Sequence, residues 1–163
     1  GWTPLPPLPH AAWQATACVL NGRLYVMGGF HCDKLQVLEM SEENGFSWTV
    51  KADLPAVYFP RYAAASAVHE GKIWVIGGIV NANATDSVII YDPELDSWAT
   101  GPSPPFRPVI TCGGCATHDG EIHLSTCDGM AVFRGGMWHA IEQGDEGGVR
   151  GVHFHASQSL LMG

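Results

Sequence analysis

The chain has 163 residues, and 46% of them are hydrophobic, so it is long enough for one domain with a buried core. The formal net charge is −8 and no stretch concentrates Lys or Arg, which disfavours nucleic acid as a partner. No apolar run approaches the roughly 18 residues of a membrane span, so no membrane partner is expected, and five cysteines without a recognisable signal peptide predict a cytoplasmic location.

Short apolar runs recur along the chain at a constant interval. Each run is rich in β-branched and aromatic residues and is bounded by Gly, Pro, Asn or Asp, which predicts strands joined by tight turns. The glycines of three turn dipeptides are 49 residues apart, namely Asn21-Gly22, Glu70-Gly71 and Asp119-Gly120. The pairs Gly28-Gly29 and Gly77-Gly78 keep the same interval of 49 residues. Two markers with one period indicate a repeated structural unit.

Each unit has the order turn, strand, glycine pair, loop, strand, turn and tryptophan, most clearly between Glu70 and Trp98. This order resembles the kelch repeat, which forms one four-stranded antiparallel blade of a β-propeller. The resemblance implies an all-β fold of the kelch type. Four blades at this period need about 200 residues, so we expect a partial or open arc, the alternative being that both chain ends complete one blade. The apolar blade faces that an open arc exposes predict self-association.

The predicted blades divide the whole chain, 1–163, in order. Residues 1–9 match the outer strand and exit loop of a preceding blade, 10–52 form the first blade and 53–102 the second. Residues 103–142 form a degenerate third blade, because Ser125-Thr126 stands where a glycine pair is due, and 143–163 begin a fourth. Aromatic residues are assigned to packing between blades, namely Trp48, Trp98, Trp138 and Tyr91.

An aromatic or basic loop precedes each first strand. In kelch proteins this loop reaches the mouth of the central channel, so the resemblance implies that its residues contact the partner. These candidates are Tyr58, Phe59, Arg61, Tyr62, Phe106, Arg107 and Arg150. Three guanidinium groups around one mouth suit the capture of carboxylates from an acidic peptide segment. The alternative is that each arginine holds its own loop by donating to backbone carbonyls.

Residues typical of metal or redox chemistry are present without the context that such chemistry needs. Cys112 and Cys115 have the spacing of a zinc or redox half-site, with Cys127 nearby, but they fall at the start of a predicted strand. That position favours inert, buried thiols. No catalytic residue, metal or cofactor is therefore predicted.

The favoured function is a protein-interaction module that presents its loops to a peptide or protein partner. By resemblance, such a module serves as the substrate-recognition part of a ubiquitin-ligase adaptor or as a cytoskeletal binder. The competing class is an enzyme of the sugar-oxidase or sialic-acid-isomerase type. A copper oxidase of that kind needs two Tyr and two His, which Tyr58, Tyr62, His153 and His155 supply by type but not in a recognisable motif. A binding module is therefore favoured over an enzyme.

Overall fold

The computed structural model describes residues 1–2, 4–41, 45–105, 114–126 and 129–141. These residues form three four-stranded antiparallel sheets, one small three-stranded sheet and a short 3-10 turn at Ala56–Tyr58. Among them there is no helix with the length and hydropathy that a transmembrane span requires. The predicted all-β architecture of four-stranded antiparallel blades is confirmed.

The first sheet contains four strands in chain order, β1 Thr16–Leu20, β2 Arg23–Met27, β3 Leu35–Ser41 and β4 Gly45–Val50. The hairpin between β1 and β2 turns on Asn21 and Gly22, which both have positive φ angles, 51° and 73°. Two positive φ angles in a two-residue turn match the right-handed twist of the strands. The equivalent pairs Glu70-Gly71 and Asp119-Gly120 have the same conformation, so the recurring dipeptides of the sequence are recurring hairpins.

The second and third sheets repeat this arrangement. The middle of the chain contributes β5 Arg61–Tyr62, β6 Ala65–His69, β7 Lys72–Ile76, β8 Ile79–Val80, β9 Asn83–Ala84, β10 Val88–Asp92 and β11 Ser97–Gly101. Of these, β6, β7, β10 and β11 form the second blade, while β5, β8 and β9 form the small sheet. The third blade consists of β12 Gly114–His118, β13 Glu121–Thr126, β14 Gly129–Arg134 and β15 Met137–Ile141.

Apolar side chains fill the two interfaces between consecutive blades. One buried cluster joins the first two blades and includes Met27, Val37, Ile73 and Ile89. A second cluster joins the second and third blades, and its members include Trp74, Ile76, Ile122, Leu124 and Phe133. Sheets buried on both faces need apolar residues at successive positions, which explains why β7 is buried over four consecutive residues.

Each outer-strand tryptophan ties its blade to the linker that precedes the blade. The Nε1–H groups of Trp48, Trp98 and Trp138 donate to the carbonyl oxygens of Pro6, Ala52 and Pro102, at 2.8 to 2.9 Å. A buried or half-buried indole needs such an acceptor. Trp98 and Trp138 also pack against the buried clusters between consecutive blades, as predicted, whereas Trp48 belongs to neither of the clusters that the described residues form.

At the beginning of the chain, the structure differs from the sequence-based expectation. Residues 1–2 and 4–9 contain no strand, although an outer strand was expected there. Instead this segment lies against the first blade, where the backbone N–H of His10 donates to Oε1 of Gln36 at 2.8 Å and Gln36 Nε2 donates back to the His10 carbonyl at 2.9 Å. The expected start of a fourth blade at 143–163 lies outside the described residues.

Candidate functional site

The antiparallel order of each blade places its connections at two opposite ends. The long loops that enter β1 and β6, together with the loops that follow β2 and β7, lie at one end, here called the loop face. The tight turns between β1 and β2, β6 and β7, and β12 and β13 lie at the other end, here called the turn face. Loops on a rigid scaffold are where binding residues concentrate, so the loop face is the first candidate surface.

Three aromatic side chains from three different loops meet on the loop face. The ring of Phe30 contacts Trp13 and Tyr62 edge-on, with centroid distances of 5.6 and 5.2 Å. Trp13 is 66% exposed and Phe30 is 39% exposed. We call Trp13, Phe30 and Tyr62 the aromatic patch. Exposed, mutually packed aromatic rings offer a large apolar contact area that is already ordered before a partner binds.

Backbone hydrogen bonds hold the loops of the aromatic patch together. The Phe30 N–H donates to the Trp13 carbonyl at 2.8 Å, and the Gly29 N–H donates to the Arg61 carbonyl at 2.8 Å. The Ala63 N–H donates to the Gln14 carbonyl at 3.0 Å. The patch therefore spans two blades on a hydrogen-bonded platform, which limits the conformational entropy that binding would cost.

The glycine pairs of the repeat make this close approach of loops feasible. A Cβ atom on Gly78 would lie 2.6 Å from the Tyr62 carbonyl oxygen and 2.9 Å from the Cα of Ala64. The φ angle of Gly78 is +87°, which disfavours any other residue. Gly29 has a φ of +120°, and a Cβ atom there would lie 3.0 Å from the Trp13 carbonyl oxygen and 3.1 Å from the Ala12 backbone. The recurring Gly-Gly motif is thus required, because the backbones of neighbouring loops are in contact at these positions.

Arg61 is buried beneath the loop face. Its side chain is among the largest fully buried ones, with a relative exposure of 1%. Its Nη1 atom donates to the carbonyls of Gly77 at 2.6 Å and Ser87 at 3.1 Å, and Nη2 donates to the Ser87 hydroxyl at 2.6 Å. Burial lowers the pKa of this guanidinium to about 10. Arg61 therefore holds its loop through backbone carbonyls, and the expectation that its guanidinium rings the mouth is corrected.

The other predicted contact residues divide into two groups. Tyr58, Phe59 and Tyr62 are half-buried on the loop side of the second blade, and the guanidinium carbon of Arg61 lies 5.2 Å from the centre of the Tyr58 ring. Tyr62 joins the aromatic patch directly, whereas the Tyr58 ring covers the buried arginine. The remaining candidates lie outside the described residues, namely Phe106, Arg107 and Arg150.

Two residues of the loop that follows β2 were not singled out from the sequence. Phe30 is the centre of the aromatic patch, and the exposed His31 contacts it with ring centroids 4.1 Å apart. The sequence feature that marks Phe30 is an aromatic residue directly after a glycine pair. The equivalent position in the second blade is Ile79, so the feature does not recur with the repeat and periodicity does not reveal it.

Charged side chains beside the patch are paired with one another. The Lys34 Nζ atom lies 2.6 Å from Asp53 Oδ2 and 3.2 Å from Asp33 Oδ1, joining the loop after β2 to the linker after β4. These contacts, the Asp53 hydrogen bond first, raise the pKa of Lys34. The part of the loop face that the structure describes is therefore dominated by aromatic surface, with its lysine neutralised by neighbouring carboxylates.

The described cysteines have the character of inert core residues. Burial raises the pKa of the Cys115 thiol, and that of Cys18, to about 12, which disfavours the nucleophilic thiolate. Within residues 1–2, 4–41, 45–105, 114–126 and 129–141, no group of three His, Cys, Asp or Glu side chains is arranged to hold a metal ion. Cys112 and Cys127 lie outside those ranges.

Sequence comparisons show that this chain is similar to kelch-repeat proteins. The sequence model of a family described as the Kelch motif matches residues 60–105. Kelch-like protein 35 of Mus musculus is 30% identical over 128 residues, covering 76% of this chain and 20% of that protein. A putative F-box/kelch-repeat protein of Arabidopsis thaliana is 28% identical over 138 residues, covering 82% of this chain and 33% of that protein.

A solved structure supports the same architecture. The structure of YjhT superposes with a TM-score of 0.63 at 23% identity, covering 74% of this chain and 36% of that one. The chain thus spans one third or less of the two relatives and little more than a third of the solved structure.

Proposed function

Because this chain belongs to the kelch-repeat family, we propose that it is a protein-interaction module whose loop face binds a peptide or protein partner. The observation that carries the proposal is the aromatic patch, in which Trp13 and Phe30 remain exposed although backbone hydrogen bonds fix their loops. Large, rigid aromatic side chains are the residues that most often dominate binding energy at protein interfaces.

The surface favours a partner that inserts an apolar or aromatic side chain. Lys34 is engaged by Asp33 and Asp53, and Arg61 is buried. Capture of an acidic segment, as expected from the sequence, would rest on Arg107 and Arg150, and we retain it as the second element of the proposal. An apolar anchor on the aromatic patch, flanked by acidic residues, is the partner chemistry that we expect.

The wider role that we propose is recognition within a larger protein. The similar Arabidopsis protein is named as a putative F-box/kelch-repeat protein. By the family resemblance, the module serves as the substrate-recognition part of a ubiquitin-ligase adaptor or as a cytoskeletal binder in the cytoplasm. The free thiols of Cys18, Cys32 and Cys115 are in keeping with a reducing compartment.

The test is an affinity purification followed by a binding measurement. The immobilised 163-residue chain captures partners from a lysate. The dissociation constant of the most enriched partner is then measured for the wild type, for Trp13→Ala and for Leu95→Ala. We expect Trp13→Ala to weaken binding by about tenfold or more, as a central aromatic contact does. The matched control is Leu95→Ala, which removes a 73% exposed hydrophobic residue from the turn between β10 and β11, on the turn face.

The dissociation constants of Trp13→Ala and Leu95→Ala test whether the partner contacts the loop face. Equal dissociation constants for wild type and Trp13→Ala contradict the proposal. So does a loss of affinity in Leu95→Ala as large as the loss in Trp13→Ala, since that places the contact on the turn face.

A further inference from the structure

The two blade interfaces differ on the turn face, at positions that are one repeat apart. Between the first and second blades, Leu20, Tyr25 and Tyr91 are buried together. The Tyr91 hydroxyl donates to Asp96 Oδ1 at 2.7 Å, and Asp96 Oδ1 also accepts the Ala52 N–H at 2.9 Å. The four-residue turn between β10 and β11 thus supplies a carboxylate that bridges Tyr91 and the linker after β4.

The interface between the second and third blades lacks an equivalent of this carboxylate bridge. The turn between β14 and β15 has only two residues, Gly135 and Gly136, so no side chain takes the place of Asp96. Phe133 occupies the position of Tyr91 and has no hydroxyl to offer. His69 occupies the position of Leu20. A cavity of about 430 Å³ lies at this interface and opens at the turn face.

The inner wall of this cavity is aromatic. The rings of Trp74 and Phe133 pack with centroids 4.8 Å apart, and the His69 ring meets each of them edge-on at 5.5 Å. The faces of such aromatic rings attract a cation that is positioned over them.

The rim of the cavity is predominantly acidic. Glu70, Asp119 and Glu121 contribute carboxylates, against the single guanidinium of Arg134. Among the described residues, none of these carboxylates lies within salt-bridge distance of a Lys or Arg. In the preceding blade, by contrast, the residue equivalent to Glu121 is Lys72, which forms a 2.9 Å ion pair with Asp92. A recess lined by one sign of charge concentrates ligands of the opposite sign.

His69 supplies an independent indication of a ligand. Its side chain lines the cavity while being only 10% exposed. Its Nδ1 atom has no hydrogen-bond partner within the described part of the chain, and its Nε2 atom lies 3.9 Å from Glu70 Oε1, beyond hydrogen-bond distance. Buried polar side chains are normally satisfied, so this imidazole has hydrogen-bonding capacity that the chain itself does not use.

We propose that this cavity, formed by His69, Trp74, Phe133 and the carboxylates of Glu70, Asp119 and Glu121, binds the side chain of an arginine in a peptide. The planar guanidinium stacks on aromatic rings and donates in parallel to carboxylates, whereas the ammonium of lysine is a strongly hydrated point charge. The apolar stem of the arginine packs along the cavity wall. The site lies on the turn face and is separate from the aromatic patch.

The test uses the 163-residue chain and the probe peptide acetyl-Gly-Arg-Gly-amide. Binding is followed by calorimetry, in parallel with the same peptide carrying citrulline, a neutral analogue of arginine. We expect saturable binding of the arginine peptide, and binding weakened about tenfold for citrulline or by Glu121→Gln, as for the loss of one charge-assisted contact. His69→Leu, which copies Leu20, weakens it as well.

Glu94→Gln is the matched control, because it removes an exposed carboxylate from the turn between β10 and β11, outside the cavity. Equal binding of the arginine and citrulline peptides overturns the proposal. Equal losses in Glu121→Gln and Glu94→Gln, or no saturable binding, overturn it as well. Trp13→Ala leaves peptide binding unchanged, so failure at this site and failure of the loop-face proposal are distinguishable.

Discussion

Replacement of Arg61 by Ala tests whether this arginine supports the loop face from beneath. The substitution removes a fully buried side chain and its donors to Gly77 and Ser87. It leaves the Gly77 carbonyl without its side-chain donor, at a cost of about 1–3 kcal/mol. The Ser87 carbonyl retains the Gly77 N–H at 3.0 Å, and the Ser87 hydroxyl retains Thr85, so these two groups add little.

The cavity left by the side chain raises the total cost. Replacing a large buried side chain by Ala costs about 2–5 kcal/mol through lost contacts. Part of this cost is offset here, because Arg61 forms no ion pair with a carboxylate in the described part of the chain and the substitution ends the burial of its guanidinium. We therefore expect Arg61→Ala to lower the free energy of unfolding by about 3 kcal/mol. Arg61→Lys retains one donor but not the planar fork, and we expect a loss of about 1–2 kcal/mol.

Urea denaturation measures these changes, and amide hydrogen exchange locates them. The Gly29 N–H, which donates to the Arg61 carbonyl, should exchange faster in Arg61→Ala than in the wild type. The control is Arg23→Ala, which breaks only an exposed 3.2 Å ion pair with Glu39 and should change stability by at most about 1 kcal/mol. If Arg61→Ala were as stable as Arg23→Ala and lost only partner binding, Arg61 would be a contact residue and the reasoning would be refuted.

Three further predictions concern the repeat itself. Gly78→Ala should destabilise the fold by about 2–4 kcal/mol, because its φ is +87° and a carbonyl oxygen lies 2.6 Å from the new Cβ. Trp98→Phe should cost about 1 kcal/mol, measured by urea denaturation, because the 2.9 Å hydrogen bond to the Ala52 carbonyl is lost. Hydrogen bonds from the Ala52 N–H and the Tyr91 hydroxyl hold the pKa of Asp96 below its usual range. Its contribution to stability is therefore present above about pH 4 and lost as pH falls through the lower folded-state value, so Asp96→Asn should flatten the acid limb of a stability–pH profile.

The glycine and tryptophan predictions each have a control within the chain. Gly114→Ala adds a Cβ that meets nothing within 4 Å and should stay within about 0.5 kcal/mol of the wild type. Trp2→Phe changes a fully exposed tryptophan and should be neutral. A Gly78→Ala variant as stable as Gly114→Ala would contradict the role given to the glycine pair. An unchanged acid limb in Asp96→Asn would show that the Asp96 hydrogen bonds do not govern acid stability.

Features that recur with the period were predictable from the sequence. The turn dipeptides, the glycine pairs and the tryptophans each have a role that every blade must repeat, as in the hairpin at Asn21-Gly22 and the indole hydrogen bond of Trp98. A residue type at a fixed interval therefore specifies both the strand and its position in the blade.

Features that depend on side-chain direction or on a single blade were not predictable. The pairing of Arg61 with Val80 turns the arginine inward, and the residue type alone does not reveal that direction. Phe30 has no aromatic equivalent one repeat later. The turn at Gly135 and Gly136, which lines the cavity, is two residues shorter than the equivalent turn of the second blade, so it does not recur with the repeat.

The most direct test of the proposed binding surface is site-specific photo-crosslinking. A benzophenone amino acid is placed at Phe30, in the centre of the aromatic patch, or at Leu95 on the turn face, and each protein is irradiated with the partner obtained by affinity purification. Crosslinks to that partner from position 30 and none from position 95 are the predicted result. Crosslinks from position 95 with none from position 30 would contradict the assignment of partner binding to the loop face.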